Sequence, residues 1–174
     1  MKVNITLSPL ANVLAIINAA NAATSTNITE AQVTAAAPVA AGGTGGRNTT
    51  VTLTGVDGQG IEGSRTFAYT RQALDAGAVA TDAPTSVIVL QSDTREQSLA
   101  KVAAALNLLA SEIESLAYTA PVDQATPGTI TLAAVNPSYL YLGTREVALA
   151  FADADVPFAT VAPVTDADGF DAEE

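Results

Sequence analysis

No histidine, cysteine or tryptophan occurs in the 174 residues, and there is a single methionine. Histidine is the side chain whose ordinary pKa suits proton transfer near neutrality. Cysteine is the strongest common nucleophile, and the two together build most zinc sites. Their absence removes Ser–His and Cys–His catalysis and the usual zinc centres. It also removes disulfides, so cysteine usage does not report the redox compartment. Aromatic residues make up only 5 %, which leaves few to line a sugar cleft between two carboxylates. Charged residues are 14 %, against about 25 % in ordinary soluble domains. So sparse a charge coat suits a chain that packs against neighbours.

The charge that is present is mostly of one sign. Seven Lys and Arg face 18 Asp and Glu, a net of −11. That excludes the basic footprint of nucleic-acid binding and disfavours attachment to anionic membranes. The imbalance is concentrated after Phe151, where Asp153, Asp155, Asp166, Asp168, Asp171, Glu173 and Glu174 occur with no base. No apolar run reaches the ~20 residues of a membrane helix. Near the start, Asn4, Thr6, Ser8, Pro9 and Asn12 interrupt any signal-peptide core, so no cleaved leader is expected.

What is there reads as one unit used twice. Residues 2–8 alternate apolar and polar, a strand pattern. Ser8-Pro9 follows as N-cap and first helical position, with Leu10, Val13, Leu14, Ile16 and Ile17 near helical spacing. Residues 28–39 are ambiguous: Thr29 with Gln32 fits a capping box, while 32–37 also fits a strand. A Gly-rich loop, 42–46, precedes a hairpin of 50–56 and 64–71, with Asp57-Gly58 at the turn. The second copy starts with a strand at 86–92. A helix is expected from Asp93 or Thr94 to about Ala117, its stripe formed by Leu99, Val102, Ala103, Leu106, Leu109, Ile113 and Leu116. Glu112 and Glu114 fall on its wetter side. A second hairpin pairs 128–135 with 145–151. Ile5 and Ile88 lie 83 positions apart, as do Leu7 and Leu90; Val51 and Ile130 are 79 apart, as are Leu53 and Leu132. Chance matching of short alternating strands is the competing account. The expected fold is α+β, with two strand–helix–hairpin (β-α-β-β) halves at 1–80 and 81–152, helices packed on antiparallel or mixed sheets, and an acidic extended arm at 153–174.

Chemical motifs are weak. Gly42–Gly46 ends in Arg47, not Gly-Lys-Ser/Thr, so it is not a phosphate-binding P-loop. Asp166, Asp168 and Asp171 sketch a calcium loop but lack the Glu at its twelfth position. No Gly-x-Ser-x-Gly nucleophile elbow is present. Asn4, Asn27 and Asn48 stand in glycosylation patterns that a Thr-rich chain produces by chance. No catalytic, metal or cofactor residue is expected. Partner contacts are expected at Arg47 and at Tyr139 and Tyr141, since tyrosine is enriched at interfaces, although a strand with both tyrosines on one face is the simpler alternative. Phe158 and Phe170 are the corresponding anchors of the arm.

Two stretches carry a resemblance. Arg47-Asn-Thr-Thr-Val-Thr-Leu-Thr54 with Gly60-Ile-Glu-Gly-Ser-Arg-Thr-Phe-Ala-Tyr-Thr-Arg71, and the opening Val3–Asn18, resemble a domain of virion structural proteins of large tailed bacteriophages. The likeness covers residues 1–71 well and the rest loosely. It implies a non-enzymatic particle component, made in the bacterial cytoplasm and located in the virion. Its partners would be other copies of itself and other virion proteins, chiefly the major capsid protein, in a homo-oligomer. Capsid decoration or cement is the first expectation. A tail, neck or baseplate component is the second, and a receptor- or glycan-binding adhesin the third.

Overall fold

The computed structural model describes residues 3–24, 27–41, 44–75 and 84–152. The fold is α+β. In the first half, helix α1 (Pro9–Ala20) is followed by a 3₁₀ turn (Glu30–Gln32) and strands β1 (Val33–Ala35), β2 (Val39–Ala40), β3 (Thr49–Gly55) and β4 (Ser64–Tyr69), with β5 (Gln72–Ala73) just beyond. The second half has β6 (Ser86–Leu90), α2 (Arg95–Ala105), a 3₁₀ turn (Ala110–Glu112), β7 (Ile113–Thr119), β8 (Gly128–Ala134), β9 (Tyr141–Leu142) and β10 (Thr144–Ala152). One sheet centres on β3, flanked by β4 on one side and by β1 and β2 on the other. The other runs β6-β10-β8-β7. β5 and β9 pair in parallel between the halves.

The registers of the two sheets correspond pair by pair. Val33 lies opposite Gly55 and Ala35 opposite Leu53, as Ile113 lies opposite Ala134 and Ser115 opposite Leu132. Val51 faces Phe67 and Leu53 faces Arg65, as Ile130 faces Val147 and Leu132 faces Arg145. Even the loop bonds recur. Gly55 N–H donates to Gly63 O, and Ala134 N–H to Gly143 O. Val56 N–H donates to Gln32 O, and Val135 N–H to Glu112 O. Gly63 and Gly143 both sit at positive φ, 77° and 78°, a conformation that glycine adopts without a Cβ penalty. Each introduces the same Gly-[Ser/Thr]-Arg start of a third strand.

The repeated unit differs from the expected one in two places. The first strand is absent: residues 3–8 form a turn. Asn4 Oδ1 accepts from the backbone and hydroxyl of Thr6 at 3.0 and 2.7 Å, a local bond that competes with extended pairing. The Asn12 side chain meanwhile takes both backbone groups of Asn4. Ser8 then caps α1 through Ala11 N–H, only one residue after Leu7. In the second half three residues separate Leu90 from the cap Thr94, which leaves room for a strand to finish and turn.

Helix α2 also stops at Ala105, and Ile113–Thr119 is a strand, not a continuing helix. Asn107 holds φ 54°. Its N–H bonds Ala104 O, and Leu108 N–H bonds Ala103 O, the paired bonds of a Schellman stop with Asn in the left-handed position. The unit is thus helix, 3₁₀ turn and three strands, and β6 has no counterpart among the described residues of the first half.

One apolar cluster joins the halves. Val13, Leu14 and Ile17 of α1, Val51 and Leu53 of β3, Val102 of α2, Ile130 and Leu132 of β8, and Val147 and Leu149 of β10 all belong to it. Phe67 packs at its margin, partly buried.

Candidate functional site

The densest group of buried polar side chains lies where the halves meet. The second 3₁₀ turn ends in Glu112, whose carboxylate is 4 % exposed. Glu112 Oε2 accepts from Ser138 Oγ at 2.5 Å, Tyr139 N–H at 2.6 Å and Leu140 N–H at 3.0 Å. From the first half, Arg71 donates through Nε to Thr49 Oγ1 at 2.7 Å and through Nη1 to Ser138 O at 2.8 Å. Ser138 is 1 % exposed and so receives both charges, the carboxylate on its hydroxyl and the guanidinium on its carbonyl. Asn48 clamps the backbone of Arg71 with both amide atoms.

Tyrosines close the junction. Tyr69 OH donates to Tyr139 O at 2.9 Å, Tyr139 OH to Ala36 O at 3.2 Å, and Tyr141 OH accepts from Leu109 N–H at 3.0 Å. Burial pushes the Tyr69 hydroxyl well above the ordinary range, against the pull of Arg71, with Tyr139 and Glu112 adding to the rise. Burial also raises Tyr139, with Glu112 adding to it. The same two causes raise Tyr141, opposed by the Leu109 N–H. These phenols stay neutral, Tyr69 and Tyr139 as donors and Tyr141 as an acceptor, and offer no base near neutrality. A cleft of about 50 Å³ beside them is lined by Val3, Asn12, Ile16, Tyr69, Thr70, Gln72, Tyr139 and Leu140. That is room for a water or so, where ligand pockets run to about 300–1,000 Å³. Among the described residues no cluster of three acids is placed to hold a metal, and no helix is long and apolar enough to cross a membrane. The arrangement is a latch: two opposite charges made rigid by backbone groups on the far side.

Residues 4–171 match the model of DUF7941, a family of unknown function. The chain belongs to that family. No curated protein and no solved structure matches it. The DUF7941 match spans both halves and continues past β10, so the family is defined over the latched pair and most of the acidic segment, not over one unit.

The structure places the expected partner-contact residues in different surroundings. Tyr141 is 0 % exposed, so its ring belongs to the core and not to an outer surface. Tyr139 is half-buried in the latch. Arg47 is exposed, just before Asn48 and β3. Phe158 and Phe170, the 153–174 arm and the Asp166–Asp171 pattern lie outside the described residues. Glu112, read as a wet helix position, is instead a buried hub, because the helix ends first. Asn107 is the signal that would have shown this, since Asn substitutes for Gly at a helix stop.

Ser98-Leu-Ala-Lys101 has the spacing of a Ser-x-x-Lys nucleophile. Here Lys101 Nζ sits 2.5 Å from Asp93 Oδ2, and Ser98 Oγ, 0 % exposed, shares a hydrogen with Tyr118 OH at 3.2 Å. Lys101 is turned to Asp93 and Ser98 to Tyr118, so the two are not paired with each other.

Proposed function

We propose that this chain is a non-enzymatic structural component of a bacteriophage virion, acting as a capsid decoration or cement protein through contacts with other copies of itself and with the major capsid protein. The observation that carries the reading is how polar chemistry is distributed. Of the buried polar side chains, Thr49, Arg71, Glu112 and Ser138 are spent on the latch, while the open face of the first sheet presents Thr34, Thr50, Thr52, Thr54, Ser64, Thr66 and Ala68, none of them charged. Thr52 and Thr66 hydroxyls meet at 2.8 Å, as do those of Thr54 and Ser64. An uncharged sheet face whose hydroxyls already pair with one another loses little on desolvation against a protein partner. The Arg-Asn-Thr hairpin and Gly-Ser-Arg return that resemble phage virion proteins support the same reading.

Reinforcement would come from apolar area buried across subunit junctions, at about 25 cal/mol per Å², discounted for the cost of association. Quantitative mass spectrometry of purified particles tests this. Presence in capsid stoichiometry is the expected result. Tail stoichiometry would move the protein to tail, neck or baseplate, and absence from particles would sink the reading. Binding on a glycan array would favour the adhesin instead.

A further inference from the structure

We propose that the outer edge of β4 is a docking site for a second copy of this chain, which adds its own β4 antiparallel across a two-fold axis. The inference deepens the assembly reading and takes its biological meaning from it, but the surface is argued from backbone geometry. Gly55 N–H bonds Gly63 O at 2.9 Å. Antiparallel ladders alternate bonded and non-bonded pairs, so Arg65, Phe67 and Tyr69 spend their backbone groups on β3. The close hydroxyl contacts at Thr66 and Ser64 mark the non-bonded pairs between them. Ser64, Thr66 and Ala68 therefore aim N–H and C=O away from β3, and all three residues are exposed. Among the described residues no strand takes this edge.

In the second half the corresponding strand, β10, carries β6 in parallel, from Ala148 opposite Ser86 to Ala152 opposite Leu90, the counterparts of residues 68–72. In the first half, among the described residues, β9 covers Gln72 and Ala73. The vacant stretch is residues 64–68. Natural edges are blunted by short length, Lys, Pro or a bulge. β7 has a bulge between Ser115 and Ala117 and the Arg95 guanidinium on Ser115 O. β1 and β2 are three and two residues long. β4 has six residues, an unbroken register, no Pro and no Lys.

Self-complementarity selects a second copy as the occupant. Arg65 is the only charge in β4, and its guanidinium lies 5.5 Å from the centre of its own Phe67 ring. With Thr66 on the axis, Ser64 meets Ala68 of the second copy and Arg65 meets its Phe67, giving each cation a second aromatic neighbour and about six backbone hydrogen bonds. Centring on Arg65 would oppose two like charges. Centring on Phe67 would slide the second copy toward the stretch β9 already fills. Such a contact is isologous and closes as a dimer.

A single cysteine tests it, because the chain has none. Across the axis Thr66 Cα atoms would stand about 5.5 Å apart, within disulfide reach. T66C should cross-link on mild oxidation to twice the 17.5 kDa of one chain, while T52C, one strand inward, should not. The wild type should sediment as a dimer. T66P removes an N–H that faces the edge and not β3, and should give monomers that melt close to the wild type; A68K should do the same if proline disturbs the strand. A monomeric wild type, equal cross-linking of T52C, or a dimer that survives both T66P and A68K overturns the proposal. So does a dimer lost on deleting residues 153–174 but kept in T66P, which would make the acidic segment the occupant. Failure of the virion reading is separate: the dimer would form, and particles would lack the protein.

Discussion

The two halves share one backbone plan and differ in what the corresponding side chains are asked to hold. Gln32 and Glu112 occupy the same place, at the end of a 3₁₀ turn and just before a strand. Gln32 accepts from Thr29 N–H at 3.0 Å and donates to Gln59 O at 3.1 Å, steadying a hairpin loop that lies in solvent. Glu112 reaches into the matching loop at Ser138–Leu140, but that loop is packed into the other half. A neutral amide suffices where water can substitute. A buried loop with three converging donors takes a carboxylate, because charge-assisted bonds are the stronger ones. Equal topology therefore hides unequal importance.

The largest expected effect breaks this comparison at its centre. Glu112→Ala leaves Ser138 Oγ and Tyr139 N–H without their acceptor, Leu140 N–H with only its 3.3 Å bond to Ser138 Oγ, and Arg71 facing Ser138 without the balancing carboxylate. A loss of about 3–5 kcal/mol is expected in denaturant melts. Gln32→Ala, on the exposed copy, should cost only about 0.5–1 kcal/mol. Comparable losses at the two positions would show that the latch is no stronger than an ordinary loop tie.

The next effect concerns the helix stop. Asn107 holds a left-handed conformation that costs L-residues about 1–2 kcal/mol. Asn107→Gly should hold or raise the melting temperature, and Asn107→Val should lower stability by about 1–2 kcal/mol. If valine is harmless, the stop is imposed by packing around Leu108 and not by the local turn. Smaller again is Tyr69→Phe, which removes one hydroxyl bond to Tyr139 O and should cost about 1 kcal/mol, with Thr49 and Arg71 left in place.

The smallest effect contrasts the ties in front of the two helices. In the first half Asn4 and Asn12 make a neutral tie; in the second Asp93 and Lys101 make an ionic one. The Lys101 hydrogen bond holds the Asp93 carboxyl below its ordinary pKa, opposed by desolvation and aided by Leu90 N–H and the lysine charge. A depressed folded pKa contributes stability above the unfolded value, about 3.9, that is lost as pH falls through the folded value. The wild type should therefore lose part of its advantage over Asp93→Asn during acid titration below about pH 4. A constant difference in melting temperature across that range would rule the tie out as an acid-labile element.

Much of the frame was legible. Alternation at Val51/Leu53 and Ile130/Leu132 placed the central strands, and Ser8-Pro9 and Thr94 placed both helix starts, because period and capping are local properties. What escaped depended on choices made at single residues. Residues 3–7 alternate like a strand, yet two asparagines close a turn over them. The stripe from Leu99 to Leu116 continues in helical spacing through a stop at Asn107, since apolar residues bury equally well in the strand that follows. The latch was not legible at all: Glu112 and Arg71 are 41 positions apart, and only the fold brings both to Ser138.

The parallel pairing of Gln72–Ala73 with Tyr141–Leu142 has a consequence for synthesis. On the ribosome the first half emerges complete in its own strands but with Arg71 and the Gln72–Leu74 edge awaiting acceptors, Ser138 O, Leu140 O and Leu142 O, that are still untranslated. Translation delivers about 5–20 residues per second, so that wait lasts several seconds. Nascent chains stalled near residue 100 should remain open to protease, and those released beyond residue 152 should become resistant. The molecule is in this sense finished from its far end, its opening segment held in suspense until the last hairpin loop arrives.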